Sequence, residues 1–337
     1  MTWQFEHVTL GQRVRFGTGT AAADLAAEVD RLGARQVLLI SSEPVAAEVA
    51  AKIDVAAHCT DVAPHVPVEN AERARALASS SGADLLVSVG GGSTTGLAKA
   101  IALTTGLPIV AVPTTYAGSE ATNVWGLTEA SRKTTGADDR VLPKTVIYDA
   151  ALTASLPRSL AVASGCNALA HCVDSMWAPR TDPINQALAL EGIRALSAGL
   201  REDAREQMLY GAYLAAVAFA SAGSGLHHKI CHVLGGAYNV PHAETHAAIL
   251  PYVLAFNTPA VPEAAARIRE ALGGSLIDVY DAVGASHVLH GVPDVREAAA
   301  LILPSVPPSN PRAVTEDDLI TLLAAAQAGQ NPDGVPA

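Results

Sequence analysis

Short aliphatic runs alternate with stretches of helical periodicity along the first 155 residues. The amphipathic segment AAADLAAEVDRLG ends at Gly33 and is followed by QVLLIS, which has the pattern of a buried strand. Similar runs recur after further helical stretches, and the predicted strands fall within residues 36–41, 84–93, 107–115 and 144–149. Nearly continuous apolar strands that alternate with helices predict a parallel sheet covered by helices on both faces.

The pattern changes after residue 155. Long stretches rich in alanine and leucine follow, and strand signals almost disappear. We therefore predict an α/β domain of the Rossmann-like nucleotide-binding type over residues 1–155, and an all-helical domain over residues 156–337. The length of 337 residues agrees with two domains, since a domain of ordinary size has about 150 residues.

Composition narrows the classes of function. Half of the residues are hydrophobic, and the net charge of −11 argues against binding to a nucleic-acid backbone or to an anionic membrane surface. The four cysteines lack the CxxC spacing of a zinc knuckle, and no apolar run has the length of a signal core or a membrane span. We expect a soluble, cytoplasmic protein whose partner is a small molecule.

A glycine-rich turn follows one of the predicted strands. Gly90, Gly91 and Gly92 separate that strand from a helical segment that opens with Ser93 and Thr94. Glycines at such a turn let backbone N–H groups approach a phosphate, and the helix N-terminus adds positive potential. The spacing is neither GxGxxG nor that of a P-loop, so a tight turn without a ligand is the alternative.

A second polar loop, PTTYAGSE, follows the next predicted strand. Because parallel strands end at the same edge of a sheet, both loops lie at that edge, where open α/β sheets bind their ligands. Together, the two loops predict a nucleotide site.

Six of the eleven histidines fall between residues 171 and 246. Two i, i+4 pairs and a Pro-His turn bring the following residues into one region: Asn167 and His171, His228 and His232, and His242 and His246. Asp174 lies close to the first pair, and Gly235 is the expected end of the second helix. A single histidine is usually structural, as we expect for His58, His287 and His290. A cluster of this kind is instead what a divalent-metal or polyanion site needs.

The ordered motifs GGGS, PTT…GSE, GxxALAH, HxxxHxLGG and PH together resemble the iron-containing (group III) alcohol dehydrogenase family. Within that family, VPTTYAGSE, GLHHKICHVLGG and PHAETH are similar to the maleylacetate reductases. The likeness runs from Phe16 to about Asn257 and, more weakly, to the NPR at residues 310–312. It implies a dehydroquinate synthase-like fold, a cleft between the domains, and a homodimer. The implied reaction is reduction of maleylacetate, or a substituted maleylacetate, to 3-oxoadipate by NADH or NADPH in the catabolism of aromatic compounds.

The resemblance also implies the site residues. The cofactor would lie over Gly90, Gly91, Gly92, Ser93 and Thr94 and beside Thr114, Thr115, Thr122 and Lys133. The dehydrogenases hold a metal with one Asp and three His, and the matching positions here are Asn167, His171, His228 and His242. We expect these four residues around the substrate, with His232 as a proton relay. Lys229, His246 and Tyr116 are the further expected substrate contacts.

Three departures from the family pattern bear on function. An amide oxygen, as in Asn167, is a neutral and weaker metal ligand than a carboxylate, so we expect no obligatory metal. Many family members have an acidic residue for the ribose hydroxyls after the strand QVLLIS, where this chain has Ser41 and Ser42, with Glu43 next. Serine does not repel a 2′-phosphate, so both NADH and NADPH are expected. The segment ILPSVPPSNPR lacks the family's aromatic residue before NPR, and the chain is shortened around residues 272–280.

The implied reaction adds hydride to the carbon β to a ketone and leaves an enolate, which is protonated at the α carbon. It needs a held nicotinamide, a pocket for two carboxylates and a hydrogen-bond donor to the enolate oxygen. Imidazoles without a metal can donate, and one with a pKa of about 6.5 can supply the proton. The alternatives are a metal-dependent alcohol or aldehyde oxidoreductase of the same family, a non-catalytic NAD(P)-binding subunit, and a lyase of the dehydroquinate synthase type.

Overall fold

The computed structural model describes residues 4–129 and 132–334, without the side chains of residues 132 and 133. The chain divides into two compact units. One is Leu10–Leu156, and the other comprises residues 157–334 together with residues 4–9. The first unit carries the strands, and the second is helical.

A six-stranded sheet forms the centre of the first unit. The strands of this unit are β1 Arg13–Gly17, β2 Val37–Ile40, β3 Val55–Cys59, β4 Leu85–Gly90, β5 Ile109–Pro113, β6 Val124–Glu129, β7 Arg132–Ala137 and β8 Thr145–Asp149. All pairings of the six-stranded sheet are parallel, in the order β1-β8-β5-β4-β2-β3, which confirms the predicted parallel sheet. A separate antiparallel hairpin of β6 and β7 was not predicted, because the segment RKTTGA of β7 is largely polar.

Helices cover both faces of this sheet, as the apolar strands require. They are α1 Ala21–Leu32, α2 Val45–Val49, α3 Val68–Ser80 and α4 Gly92–Thr105. Successive side chains of β2 enter opposite cores: Val37 and Leu39 pack with α1 and α2, whereas Leu38 and Ile40 pack with α3 and α4. The predicted doubly covered α/β fold is therefore confirmed.

Nine α-helices lie in the described part of the second unit: α5 Arg158–Ser175, α6 Pro183–Glu202, α7 Arg205–Ala222, α8 Leu226–Tyr238, α9 His242–Asn257, α10 Pro262–Leu272, α11 Leu276–Val283, α12 Val295–Ile302 and α13 Glu316–Ala328. One core cluster joins α8, α9, α12 and α13. Helix α8 continues through Gly235, its expected end, and stops where Asn239 takes a left-handed conformation (φ 51°). The backbone N–H of Asn239 donates to the carbonyl of Gly235 and so caps the helix, a role that glycine usually has.

The segment 4–9 groups with the helical unit, although the hydrophobicity pattern assigned it to the α/β domain. Nδ1 of His7 lies 2.8 Å from Oδ2 of Asp182. The other oxygen of Asp182 accepts hydrogen bonds from the backbone N–H groups of Ile184 and Asn185 and so caps α6. A single polar contact between residues this far apart leaves no trace in a local pattern.

The cysteines and the helix lengths both bear on what the composition suggested. All four cysteines are free and buried, as expected for small core residues. Within residues 4–129 and 132–334, no single helix is long and apolar enough to cross a membrane. Taken together, α7 and α8 do have that length and apolar composition, but a bend of 96° separates the two helices.

Candidate functional site

Neighbouring atoms leave little space for side chains at two positions of the glycine turn. Gly90, the last residue of β4, has φ 152°, and a Cβ atom there would lie 2.4 Å from Oγ1 of Thr94. A Cβ atom on Gly91 would lie 3.1 Å from Cγ2 of Thr115. The turn therefore packs directly against both the start of α4 and the threonine loop. Ser93, the second residue of α4, is partly exposed beside it.

The threonine loop lies at the same edge of the sheet, as predicted. The backbone N–H of Thr114 donates to the carbonyl of Gly90 over 3.3 Å. Tyr116 is only 2% exposed, so its predicted substrate contact would need a buried ring to become accessible. The hydroxyl of Thr122 is already bonded to Nζ of Lys99. The side chain of Lys133, predicted to bind the cofactor, lies outside the described residues.

Lys99 is a fully buried cation that holds this loop. Its Nζ donates to the carbonyl oxygens of Ser119, Thr122 and Val124 over 2.6 to 2.9 Å. Burial lowers the pKa of Lys99 to about 7, while the charge of buried Glu120 opposes this shift. The ammonium group thus bridges three backbone carbonyls and fixes the loop that carries them. The sequence showed a lysine on the helix but not that it points inward.

Lys99→Met is expected to lower the free energy of unfolding by about 3 kcal/mol, because three carbonyls lose their donor and Glu120 loses its cation. Urea unfolding of the protein would measure this loss. Lys52→Met is the matched control, since Lys52 is an exposed lysine of the same unit. Equal stability of the two variants would contradict the assigned role.

An acidic side chain lies at this edge where serines were expected to act. Ser41 is buried, and its Oγ accepts a hydrogen bond of 3.0 Å from the backbone N–H of Glu43. The carboxylate of Glu43 accepts a hydrogen bond of 3.0 Å from Oγ1 of Thr114 and lies beside Gly90. Ser42 is exposed. The acidic residue was visible in the sequence, but as Glu43 it lies one position after the two serines.

The predicted histidines come together in the helical unit, around the ring of His228. The ring centroid of His228 lies 4.7 Å from that of His171 on α5, 4.8 Å from that of His246 on α9, and 5.9 Å from that of His232 one turn along α8. His242, the first residue of α9, has its ring 4.3 Å from that of His246. His232 and His242 are exposed, whereas the other three are buried.

Asp174 fixes the orientation of His228. Its Oδ2 lies 2.8 Å from Nδ1 of His228 and also accepts the backbone N–H groups of Gly225 and His228. A Cβ atom on Gly225 would lie 2.4 Å from Oδ1 of Asp174, so glycine is required for this approach. With Nδ1 bonded to the carboxylate, Nε2 of His228 is the atom left to meet a ligand, and it has no partner among the described residues.

His227 was missed by the sequence analysis, which treated only its neighbour. Its Nε2 lies 2.9 Å from Nδ1 of His246, and its ring lies 5.0 Å from that of His228. A residue adjacent to His228 on a helix points about 100° away, so spacing alone gave no reason to include it. Phe219, also missed, places its ring 4.3 Å from that of His228 and forms an apolar wall.

The buried imidazoles are neutral at pH 7. Burial, and secondly the charge of His242, lowers the pKa of His171 to about 3. Burial also lowers the pKa values of His227, His228 and His246 well below the usual value. None of these four residues keeps the pKa of about 6.5 that was expected for the proton donor, so each can hold a proton only during turnover and not in the resting protein.

The family's metal-ligand positions do not form a convergent donor set. Among the described residues, the group of three ligand atoms within 4.8 Å of one another belongs to His227, His228 and His246, not to His171, His228 and His242. In that group, His227 and His246 are hydrogen-bonded to each other. Oδ1 of Asn167 is buried and has no partner among the described residues, but it is a neutral oxygen. The imidazoles of His227, His228 and His246 could still hold a cation, so the expected independence of a metal stays a prediction.

Lys229, the predicted carboxylate contact, is partly exposed on α8. Burial raises the pKa of nearby Asp174 to about 7, while its backbone hydrogen bonds and the charge of Lys229 oppose this shift. Lys229 is thus close enough to act on the Asp174–His228 pair. Whether it or His246 touches a substrate stays a prediction.

Comparisons with known proteins agree with the motifs. The model of the iron-containing alcohol dehydrogenase family matches residues 11–150, and the C-terminal model of that family matches residues 161–327. A maleylacetate reductase of Sphingobium indicum is 43% identical, with 98% of this chain and 99% of the relative covered. The solved maleylacetate reductase of Rhizobium sp. strain MTP-10005 is 40% identical, with a TM-score of 0.91 over 98% of this chain and 100% of that one. An iron-containing alcohol dehydrogenase of Corynebacterium glutamicum is 54% identical, with a TM-score of 0.97 and full coverage of both chains.

Proposed function

Because the chain belongs to the iron-containing alcohol dehydrogenase family, we propose that it is a maleylacetate reductase that reduces its substrate without a metal ion. The observation that carries the proposal is the neutral amide of Asn167 within the histidine cluster, at the position where the dehydrogenases have a carboxylate ligand. Relatives with that name share 43% of their residues with this chain over almost its full length.

The first unit supplies the cofactor site. The glycine turn and the threonine loop would hold a nicotinamide dinucleotide, because the turn leads directly into the N-terminus of α4, whose backbone N–H groups and dipole favour a pyrophosphate. When bound, the dinucleotide supplies the hydride. Thr115 packs against Gly91 and thereby holds the threonine loop against the turn.

The histidine cluster supplies the proton and the contacts to the ketone oxygen. Asn167 and neutral His171 donate hydrogen bonds to that oxygen as negative charge develops on it. His228 presents Nε2, and a proton placed there is balanced by the carboxylate of Asp174 before it passes to the α carbon. His232 and His242 are exposed and exchange protons with water. Lys229 provides positive charge for a carboxylate of the substrate.

The cofactor choice depends on Glu43. Its carboxylate can accept hydrogen bonds from ribose hydroxyls but repels a 2′-phosphate, so NADH is the proposed cofactor. Glu43→Gln is expected to raise kcat/KM for NADPH relative to NADH about tenfold, as removal of one like charge at close range predicts. Glu48→Gln, the same change at an exposed position of α2, is the control. Equal use of NADH and NADPH by the unchanged protein would contradict this assignment.

Steady-state oxidation of NADH with a panel of substrates tests the proposed function. The panel contains maleylacetate, a substituted maleylacetate and two simple aldehydes. We expect turnover of the maleylacetates with a kcat/KM at least about a hundredfold above that for the aldehydes, because only the former carry two carboxylates and a conjugated double bond. Comparable rates with the aldehydes would reject the proposal.

A metal-dependent alcohol or aldehyde oxidoreductase is the second candidate. It is favoured by the hydrogen bond between Nδ1 of His228 and Asp174, since metal-binding histidines also donate their second nitrogen to a carboxylate. The relative of Corynebacterium glutamicum is likewise named an iron-containing alcohol dehydrogenase. The aldehyde arm of the same assay, repeated with added iron or zinc, distinguishes this candidate from the first.

We also propose that the active protein is a homodimer that acts in the cytoplasm on a substrate from the catabolism of aromatic compounds. Sedimentation of the purified protein tests the dimeric state directly.

A further inference from the structure

A groove with basic walls lies at the edge of the sheet where the strands begin. It has a volume of about 660 Å³ and is lined by Arg13 at the start of β1, Arg31 near the end of α1, and Lys144 just before β8. The glycine turn lies at the opposite edge, where the strands end. Strands of five or six residues separate the two edges by roughly 15 Å. We call this feature the basic groove.

A buried carboxylate holds two of these cations in place. Glu28 on α1 is 1% exposed, and its oxygens accept hydrogen bonds from Nε of Arg13 over 3.0 Å and from Nε of Arg31 over 2.8 Å. The surrounding donors lower the pKa of Glu28, although its burial opposes them, so the carboxylate stays charged. Each guanidinium group is therefore anchored at its Nε atom, while the side chains of Arg13 and Arg31 are 54% and 42% exposed.

Several donors of the basic groove have no partner in the part of the chain that the structure describes. Glu28 engages Arg13 through Nε, so both Nη groups of Arg13 are without a partner among the described residues. Arg31 uses Nε on Glu28 and Nη2 on Thr145, which leaves Nη1. Nζ of Lys144 is exposed and forms no hydrogen bond or ion pair within the described part of the chain. Guanidinium and ammonium groups in this arrangement match the oxygens of a carboxylate or phosphate.

The charge of the basic groove is opposite to that of the protein. No residue lining it is acidic, and its three cations exceed the one buried carboxylate behind them. The whole chain has a formal net charge of −11. Leu32 and Pro108 add apolar surface to the same walls. A volume of this size is ordinary for a site that holds a small organic molecule.

We propose that the basic groove is a second ligand site, separate from the glycine turn and the histidine cluster, which binds a small anion with at least two negative charges. Phosphate esters and dicarboxylates share the required chemistry. Binding joins the start of β1, the start of β8 and the end of α1, and so it stabilises the unit Leu10–Leu156. The proposal is independent of the reaction proposed above.

Thermal unfolding in the presence of saturating NADH tests this site, because the proposed function places NADH at the glycine turn and so keeps the probe anions from it. The probes are inorganic phosphate and succinate, each compared with sodium chloride at the same ionic strength. We expect one or both to raise the Tm by about 2–4 °C in a saturable manner, as ligand binding to the folded state requires. Titration calorimetry shows which of the two anions binds, with one site per chain.

Lys144→Gln is the test variant, because Lys144 makes no contact with Glu28 and its loss leaves the buried carboxylate paired. We expect its affinity for the anion to fall about tenfold. Lys52→Gln, an exposed lysine elsewhere in the same unit, is expected to bind as the unchanged protein does. The proposal is overturned if neither anion exceeds chloride, or if the two variants lose affinity equally.

Discussion

Replacement of His228 by asparagine is expected to lower kcat/KM for maleylacetate about 1,000-fold, because general acid–base groups contribute factors of this order. The asparagine amide can still donate to Asp174 in place of Nδ1, so the start of α8 keeps its hydrogen bonds. What it removes is Nε2, the buried atom that has no partner among the described residues. The loss should therefore appear in kcat, with the affinity for NADH unchanged within about twofold.

His290→Asn is the matched control, since His290 is an exposed histidine of the same helical unit. It should retain the full rate. Fluorescence titration with NADH separates a loss of chemistry from a loss of cofactor binding, and the Tm reports any loss of folding. A His228→Asn protein that keeps kcat/KM within about threefold would show that Nε2 of His228 carries no proton in the reaction.

Asn167→Asp is expected to have the second large effect, because it places a carboxylate beside the imidazoles of the cluster. A charged oxygen is a far better ligand for a divalent cation than an amide, so zinc or iron affinity should rise about a hundredfold or more. The same charge repels a doubly anionic substrate. We expect kcat/KM for maleylacetate to fall about a hundredfold in the metal-free variant, in line with a like charge in a buried site.

Metal content after dialysis and the rate with maleylacetate measure the two effects of Asn167→Asp. Asn331→Asp makes the same change at an exposed position and should alter neither quantity. If Asn167→Asp retains the rate and binds no more metal than the control, the amide at position 167 does not decide the chemistry of the cluster.

The fold could be predicted from the sequence because its signals are local and repeated. Four buried strands were located from their aliphatic runs, and each lies within the predicted range, as β2, β4, β5 and β8 show. The hairpin of β6 and β7 was not found, since residues such as Arg132 and Thr134 give no apolar alternation. Residues 4–9 group with the helical unit, and the contact between His7 and Asp182 shows the kind of distant interaction that no local pattern predicts.

The candidate site could be predicted where side chains repeat at i, i+4, as Asn167 and His171 do. The partners that orient those side chains come from other helices, and no spacing rule predicts them. The pairing of His227 with His246, and the approach of Asp174 to Gly225, both depend on how α5, α8 and α9 pack together. Glu43 was noted in the sequence but was given no role there. Only the structure shows that its carboxylate lies at the edge of the sheet beside Thr114.

We propose that the neutral amide at position 167 leaves a histidine cluster that works without a metal ion. The rate of maleylacetate reduction after exhaustive dialysis against a chelator tests this proposal, with the metal content of the same sample determined by elemental analysis. We expect a rate within about twofold of that before dialysis and no increase on addition of iron or zinc. A rate that falls with the metal content, and returns when one equivalent of metal per chain is restored, would contradict it.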